Sequence, residues 1–524
     1  MVLELQDFGV KLGSEYTMMW ECVVQMVKIT KVDTVALIGI STTIEWGGFL
    51  NKRFCNSLKL VSLVSLSVFL VGCAVKPPES QMLKVAQMAP DSWTASQEGK
   101  AGVDREWVQS FGDSSLNKLV SEAVARNPDM RAAAERVVQA QKAAYVAGAA
   151  VRPSLAAELK GDRSKRQFVG MPFGGSSLEN GSYADLRVNW EIDLWGRIRM
   201  GQMAAISDAQ AAELDAKAAE AALAAEVCKA WFSLGEANEQ LKLAKRVAEI
   251  RDDSVETIGE RFEQNLGDDG GSASQFRLAQ TDQATSNAVI SQRESEVRMA
   301  QRRLELLCGR YPAGKMRGSS SLTKMPARPP SGVPSALLQR RPDVIAAERR
   351  YAASVTRLKE ANRAIFPILS LTGSTGTASD ALEQIVNSNF STWSIGATLT
   401  QNLLTGGRVK GEQAIRTSKE REELANLEGV VLGAFGEVEN ALMLESWLKR
   451  RVQDMRKASA LANDAARAAN DDYLEGTGDI LTLLTAQSRA VDLGSQLLVL
   501  RRMQLGNRVD LHLALGGEFR LEGK

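Results

Sequence analysis

The sequence predicts a mainly α-helical protein with a transmembrane β-barrel, built on a two-fold internal repeat; each half carries long coiled-coil helices and a two-stranded β-hairpin. Three observations predict it. Blocks of sequence recur at a spacing of roughly 210 residues. Stretches in each half alternate polar with apolar residues, and between them apolar positions step by four and three over very long runs.

The repeat holds register across prolines and glycines, which alanine-rich helices alone would not. RNPDMRAAAERV, from Arg126, recurs as RRPDVIAAERRY, from Arg340. Pro128 pairs with Pro342 and Pro153 with Pro367, both 214 apart; Gly196-Arg197 pairs with Gly407-Arg408 and Glu226-Val227 with Glu437-Val438, both 211 apart. Ala279-Gln280 pairs with Ala486-Gln487 and Gly309 with Gly516, both 207 apart. Offsets falling in two small steps describe one ancestral unit with short insertions confined to loops.

Each half reads as helix, two strands, a very long helix and a return helix. Asn127-Pro128-Asp129 supplies an N-cap, a proline at the first helical position and an acid in the first turn. Past Pro153 the period changes to two. Leu186, Val188, Trp190 and Ile192 alternate with Asp185, Arg187, Asn189 and Glu191, and Trp393, Ile395, Ala397 and Leu399 alternate with Thr392, Ser394, Thr398 and Thr400. SLAAEL and ILSLTGST precede them as partner strands. Strands of about ten residues, polar on one face and apolar on the other, suit a membrane barrel, with Trp190 and Trp393 facing lipid or forming an interfacial girdle. Four strands cannot close around a lumen, and an open edge in lipid leaves amides unsatisfied, so the edges require other copies of the chain.

The long helices come next in each half. Leu223, Val227, Ala230, Leu234, Ala237, Leu241, Ala244 and Ala248 step by four and three without a break; after one interruption at Arg251 the series resumes at Val255, Ile258 and Phe262. A helix over 195–262, at about 1.5 Å per residue, is roughly 100 Å long, and its counterpart runs over 408–473. Both turn at glycine-rich tips, NLGDDGGSAS (265–274) and LEGTGD (474–479). The return helices end at Cys308-Gly309 and Leu515-Gly516, glycines suited to C-caps.

Ahead of this architecture, Lys52, Arg53 and Lys59 precede an apolar run from Leu60 that ends Leu70-Val71-Gly72-Cys73. Basic residues, a short apolar core and small residues before a cysteine have the order of a secretory signal, and the run is too short to span a bilayer. The stretch resembles the lipobox of bacterial lipoproteins, with cleavage between Gly72 and Cys73 and acylation of Cys73. Residues 1–50 fit neither the signal nor the repeats behind it and are expected to lie outside the native protein. The chain accordingly divides into that extension (1–50), a signal peptide (51–72), a lipidated N-terminal segment (73–105), the first repeat (106–310), a linker (311–334), the second repeat (335–518) and a tail (519–524).

Composition excludes several functions. A net charge of +1 gives no general attraction to nucleic acid. One histidine, His512, and five cysteines without a C-x-x-C spacing leave no histidine-based triad or metal site, and no enzyme motif is present. The helical Cys228 and Cys308 have Glu439 and Leu515 as repeat mates, and Cys308 reads as a core thiol. No cofactor is expected beyond the lipid on Cys73.

Trp107, Phe111-Gly112-Asp113, Leu116, Leu119-Val120, NPDMRAAAERV, WEIDLWGRIR, LLQRRPDVIAAE and the closing LALGG resemble the outer-membrane efflux protein family, the TolC/OprM-like factors, in its NodT-type lipoprotein branch. The resemblance covers nearly all of the chain from Cys73. It implies a homotrimer with a twelve-stranded barrel in the outer membrane, a periplasmic α-helical barrel, and partnership with a periplasmic adaptor and an inner-membrane pump of the resistance-nodulation-division type. Drugs or other small toxic compounds would pass through a conduit gated at its periplasmic helical tips. The family's gate carries a tyrosine and acidic residues; Tyr473 falls on the tyrosine and Phe262 is its first-half mate. Aspartates that some relatives carry on the return helix are Thr482 and Thr485 here, leaving Asp479, Asp268 and Asp269 as the available acids. Gly267, Ser272, Gly476 and Thr477 resemble the small-residue tip that docks the adaptor. Two other readings stand beside this one: a type I secretion exit duct, and a periplasmic coiled-coil lipoprotein without a pore.

Overall fold

The computed structural model describes residues 89–90, 92–95, 107–167, 175–264 and 272–517, all within the unit Pro78–Lys524. The signal, Gly72, Cys73, Gly267, Asp268 and Asp269 lie outside the described residues. The first half comprises α1 (Ser114–Arg126), α2 (Pro128–Ala149), β1 (Ser154–Gln167), β2 (Ser176–Ile192), α3 (Arg197–Glu263) and α4 (Ala273–Leu307). The second comprises α5 (Pro342–Arg363), β3 (Ile368–Ser379), β4 (Ser391–Thr400), α6 (Arg408–Leu474) and α7 (Ile480–Ala514). Mates have equal lengths: 22 residues in α2 and α5, 67 in α3 and α6, and 35 in α4 and α7.

The ends of these helices show why the prolines and glycines keep register. Asn127 caps α2, its Oδ1 accepting from the N–H of Asp129 at 2.7 Å and of Met130 at 3.4 Å. Its Nδ2 donates to the carbonyl of Leu307, at the end of α4, at 2.9 Å. The second half repeats this bond with different chemistry: Arg341, before α5, donates from Nη1 to the carbonyl of Ala514, the mate of Leu307, at 3.3 Å. Gly196 and Gly407 open the two 67-residue helices at φ 73° and 86°, a left-handed conformation that glycine adopts without strain.

Each long helix is the spine of its half. The sheet-side part of α3 packs against α2 and α5, where Gln141 donates to Glu213 at 2.7 Å and Arg350 and Arg357 pair with Asp215 and Asp208. The distal part packs against α4, through Arg303–Glu226 at 2.8 Å and the bond from Gln283 to Asp252 at 2.9 Å. Most of the heptad seam is buried: Val227 and Leu234 are fully buried, Ala230, Ala237, Ala244 and Ala248 let the backbones approach closely, and Leu223 and Leu241 are half-buried. The residues between the halves lie along α3, where Ser319 and Ser320 accept from Asn238 at 2.9 Å and Lys242 at 2.7 Å. Near the N-terminus, Trp93 is 2% exposed and donates to the carbonyl of Ser331 at 3.1 Å. The adjacent N–H groups of Thr94 and Ala95 donate to Glu439 on α6 at 2.7 and 2.9 Å.

The four strands form one antiparallel sheet in the order β1-β2-β3-β4, with β2 pairing β3 across the two halves. The first hairpin exceeds the expected ten residues: β1 has 14 and β2 has 17. Alternation ceases near Lys160, but the ladder continues without a slip from Ser154–Asn189 to Gln167–Ser176. Backbone pairing carries the strands past the point where one face needs to be apolar.

Candidate functional site

Two regions are built for work, at opposite ends of the long helices. At one end the register aligns residues of like character across all four strands. Leu155, Ala157 and Leu159 stand opposite Val188, Leu186 and Ala184. Trp190 and Ile192 stand opposite Leu371 and Leu369, which stand opposite Ala397 and Leu399. This apolar face is exposed: Leu155, Leu159, Trp393, Ile395 and Leu399 are each more than 60% accessible, at 69%, 74%, 77%, 85% and 63%. The other face carries Glu158, Asp185 and Arg187, with Arg187 bridging Glu158 at 2.8 Å and Asp185 at 3.3 Å, and then Ser370, Thr372, Ser374, Thr392, Ser394 and Thr398. The outer edges of β1 and β4 have no strand partner among the described residues. Trp190 does not simply face outward. It is half-buried, and its Nε1 donates to the carbonyl of Val151 at 2.9 Å, tying the foot of the sheet to the end of α2.

At the other end the two tips differ. Tyr473, at the end of α6, is 3% exposed and packs with Ile258, Ala279, Ile480, Leu483 and Leu484. The Arg261 guanidinium lies 4.5 Å from the centre of its ring and donates to its carbonyl at 3.1 Å. Burial pushes the phenol above its ordinary pKa, with the Arg261 charge opposing. Phe262, the mate of Tyr473, is 40% exposed and stacks on Phe276 at 5.7 Å. The structure therefore brings the sequence-predicted Tyr473 to Arg261 and leaves Phe262 on the surface.

The other tip residues have local duties. Gly476 turns the chain at φ 76°; the N–H of Thr477 and its hydroxyl both bond the carbonyl of Asp472, at 2.9 and 3.1 Å. Asp479 is the N-cap of α7, accepting from the N–H of Thr482 at 3.1 Å and its hydroxyl at 3.3 Å. The N–H groups of Leu481 and Thr482 hold its carboxyl below the ordinary range. Ser272 caps α4 in a reciprocal capping box with Gln275.

Sequence reasoning sees Arg251 only as a break in the heptad. Its side chain is 6% exposed. It donates to Gln487 at 2.7 Å and Ser488 at 3.1 Å on α7, with Asp282 of α4 at 3.8 Å. It clamps the first-half spine to the second-half return helix beside a cleft of about 590 Å³ that reaches Tyr473. Cys228 and Cys308 are buried free thiols; burial raises both, Cys308 to about 11, which leaves them protonated and unreactive. No group of three His, Cys, Asp or Glu side chains among the described residues is placed to hold a metal ion.

Comparison with known proteins agrees with this layout. The family model described as outer membrane efflux protein matches residues 119–310 and 333–517, one segment in each half of the chain. Outer membrane protein OprJ of Pseudomonas aeruginosa is 30% identical over 477 residues, covering 87% of this chain and 95% of that protein. The pyoverdine export outer membrane protein OpmQ of Pseudomonas putida is 29% identical over 468 residues, covering 87% and 96%. Among solved structures, that of the outer-membrane channel OprN superposes with a TM-score of 0.76 at 26% identity, covering 85% of this chain and 99% of that one.

Proposed function

The chain belongs to the outer membrane efflux protein family, and from that premise we propose how it works as the outer-membrane channel of a tripartite efflux system. Three copies pair β1 of one with β4 of the next and close a twelve-stranded barrel, which satisfies both open edges. The apolar face meets lipid, and the face carrying Arg187, Ser374 and Ser394 lines water. The observation that carries the reading is the continuous apolar face across four strands whose outer edges have no strand partner among the described residues. The 67-residue helices, roughly 100 Å long at 1.5 Å per residue, line a conduit through the periplasm.

Transport in this scheme needs no chemistry on the substrate. A periplasmic adaptor and an inner-membrane pump supply delivery and energy; this chain supplies a gated passage for drugs or other small toxic compounds. The gate is the helical tip, where Arg261 holds Tyr473 and Arg251 holds α7 against α3, and opening requires both contacts to yield. Gly476 and Thr477, with Gly267 and Ser272, form the adaptor-docking turns, while Asp479, with Asp268 and Asp269, makes the aperture acidic and attractive to cations. Cys73 is acylated after cleavage at Gly72 and adds a lipid anchor to the barrel.

Purified protein in planar bilayers tests the core of this reading. Trimers that conduct ions are expected, and a protein that stays soluble and non-conducting once the segment through Cys73 is removed would overturn it. Mass analysis of the mature N-terminus should find acylated Cys73. A deletion strain should gain sensitivity to a panel of antibiotics, solvents or metal ions, and that panel names the substrate.

A further inference from the structure

The two hairpins differ in charge beyond the apolar band: the strands of the first carry basic residues there, whereas the turn of the second carries Asp380 and Glu383. In β1 the pleat that places Leu155, Ala157 and Leu159 on the apolar face carries Gly161, Arg163 and Lys165 onto that face in turn, past the end of the polar–apolar pattern. Their cross-strand neighbours on that face are Ser182, Asn180 and Leu178. The apolar band therefore ends at Leu159 and Ala184, and the next charged groups outward on the same face are two cations. Neither enters an ion pair among the described residues. The acids of this part of the first hairpin, Asp162 and Glu179, point to the opposite face by the same alternation, and Asp162 is paired with Lys160 at 3.7 Å. The sequence of the turn, Phe168 to Gly174, contains no acid. The second hairpin offers Thr375, Thr377 and Trp393 on this face and no charge.

Position converts this asymmetry into a ligand class. Arg163 lies four residues past Leu159, about 13 Å along a strand at 3.3 Å per residue. With a barrel tilt of 35–45° that is roughly 10 Å of height, where a long basic side chain reaches the headgroup layer flanking the hydrocarbon. Phosphate is the anion of that layer, and a guanidinium beside an ammonium meets phosphate oxygens as a fork and a point charge. We propose that Arg163 and Lys165 form a binding site for the phosphate groups of outer-leaflet lipids. The site rests on the reading of this sheet as a membrane wall whose hairpin ends face outward.

Native mass spectrometry of the full-length trimer with added lipid A, and with its dephosphorylated form, tests the site. Wild type should retain phosphorylated lipid and release the dephosphorylated form. The double variant R163Q/K165Q should bind about 20- to 30-fold more weakly, since each basic residue near an anionic surface contributes about fivefold. R163E/K165E should lose the lipid entirely. Charge that serves only to deter wrong pairing of an edge strand would be kept in that variant, so lipid retention by R163E/K165E overturns the proposal. Arg166→Gln, on the polar face of the same strand, should leave binding unchanged; an equal loss there, or displacement of the lipid by inorganic phosphate, also overturns it. Bilayer conductance measured in parallel separates the two readings. A wild type that never inserts overturns the channel and the site together, whereas inserting variants with undiminished lipid binding overturn the site alone.

Discussion

In the first half Leu234 is fully buried on α3; at the corresponding place on α6, 211 residues on, the second half buries Glu445 at 7% exposure. Glu445 is answered by Arg508 on α7, 3% exposed, which also donates to the carbonyl of Pro326. The first-half mate of Arg508 is Gln301. Similarly, Glu305 on α4 accepts three backbone N–H groups, from Gly314, Lys315 and Met316, while its mate His512 stacks on Trp107 at 5.6 Å. The halves thus share helix lengths and caps but not their means of filling the interior. Duplication kept the ruler and changed the chemistry: Arg508 and Glu305 reach the segment between the halves, and His512 reaches Trp107 ahead of the first.

The largest test of that comparison exchanges the buried pair. Glu445→Leu alone strands the Arg508 charge and should cost about 3–5 kcal/mol, whereas E445L/R508Q, which restores the first-half pair, should recover most of it. Denaturant unfolding followed by circular dichroism reads both, and an equal loss in the double variant would show that the two halves are not interchangeable here. Next comes Arg251→Ala, which installs the residue of its mate, Ala462. Losing charged hydrogen bonds to Gln487 and Ser488 should cost about 1.5–3 kcal/mol and raise bilayer conductance; stability lost without any change in conductance would remove Arg251 from the gate.

A smaller difference separates the two C-cap glycines. A Cβ on Gly309 would sit 2.6 Å from the carbonyl oxygen of Arg126, while on Gly516 the nearest atom is the Cβ of Arg340 at 3.1 Å. Gly309→Ala should therefore lose more stability than Gly516→Ala, which carries mainly the roughly 1–2 kcal/mol of a left-handed alanine. Asp479→Ala should have the smallest effect, a modest fraying of α7 visible in hydrogen exchange. Because the folded carboxyl is held below its ordinary value, its cap is intact above the ordinary carboxylate range and is lost as pH falls through the folded value. Acidification should reproduce the variant in wild type and leave the variant itself unchanged.

Much of this architecture is legible in the sequence because its signals are local. Asn127, Pro128, Gly309 and Gly516 each announce a helix end through their own backbone chemistry, and the heptad along α3 announces its buried seam. The ends of β1 and β2 are not legible, since a ladder is a property of two strands and Lys160–Gln167 has no alternation of its own. Arg251 and Arg261 meet partners 236 and 212 residues away, and Thr94 meets Glu439 across 345. Nothing beside those residues marks the meeting. The tip is therefore readable as turns and caps, and unreadable as a set of contacts between halves.

The equality of the paired helices limits what evolution can change. A heptad inserted into α3 alone would push the first tip past the second, misalign Arg251 with Gln487, and leave Arg261 beyond Tyr473. Register is regained only when α4, α6 and α7 lengthen together. Insertions in this shaft are thus expected to be inherited as sets of four, in multiples that preserve the helical face, while the strand-side loops remain free to vary one at a time.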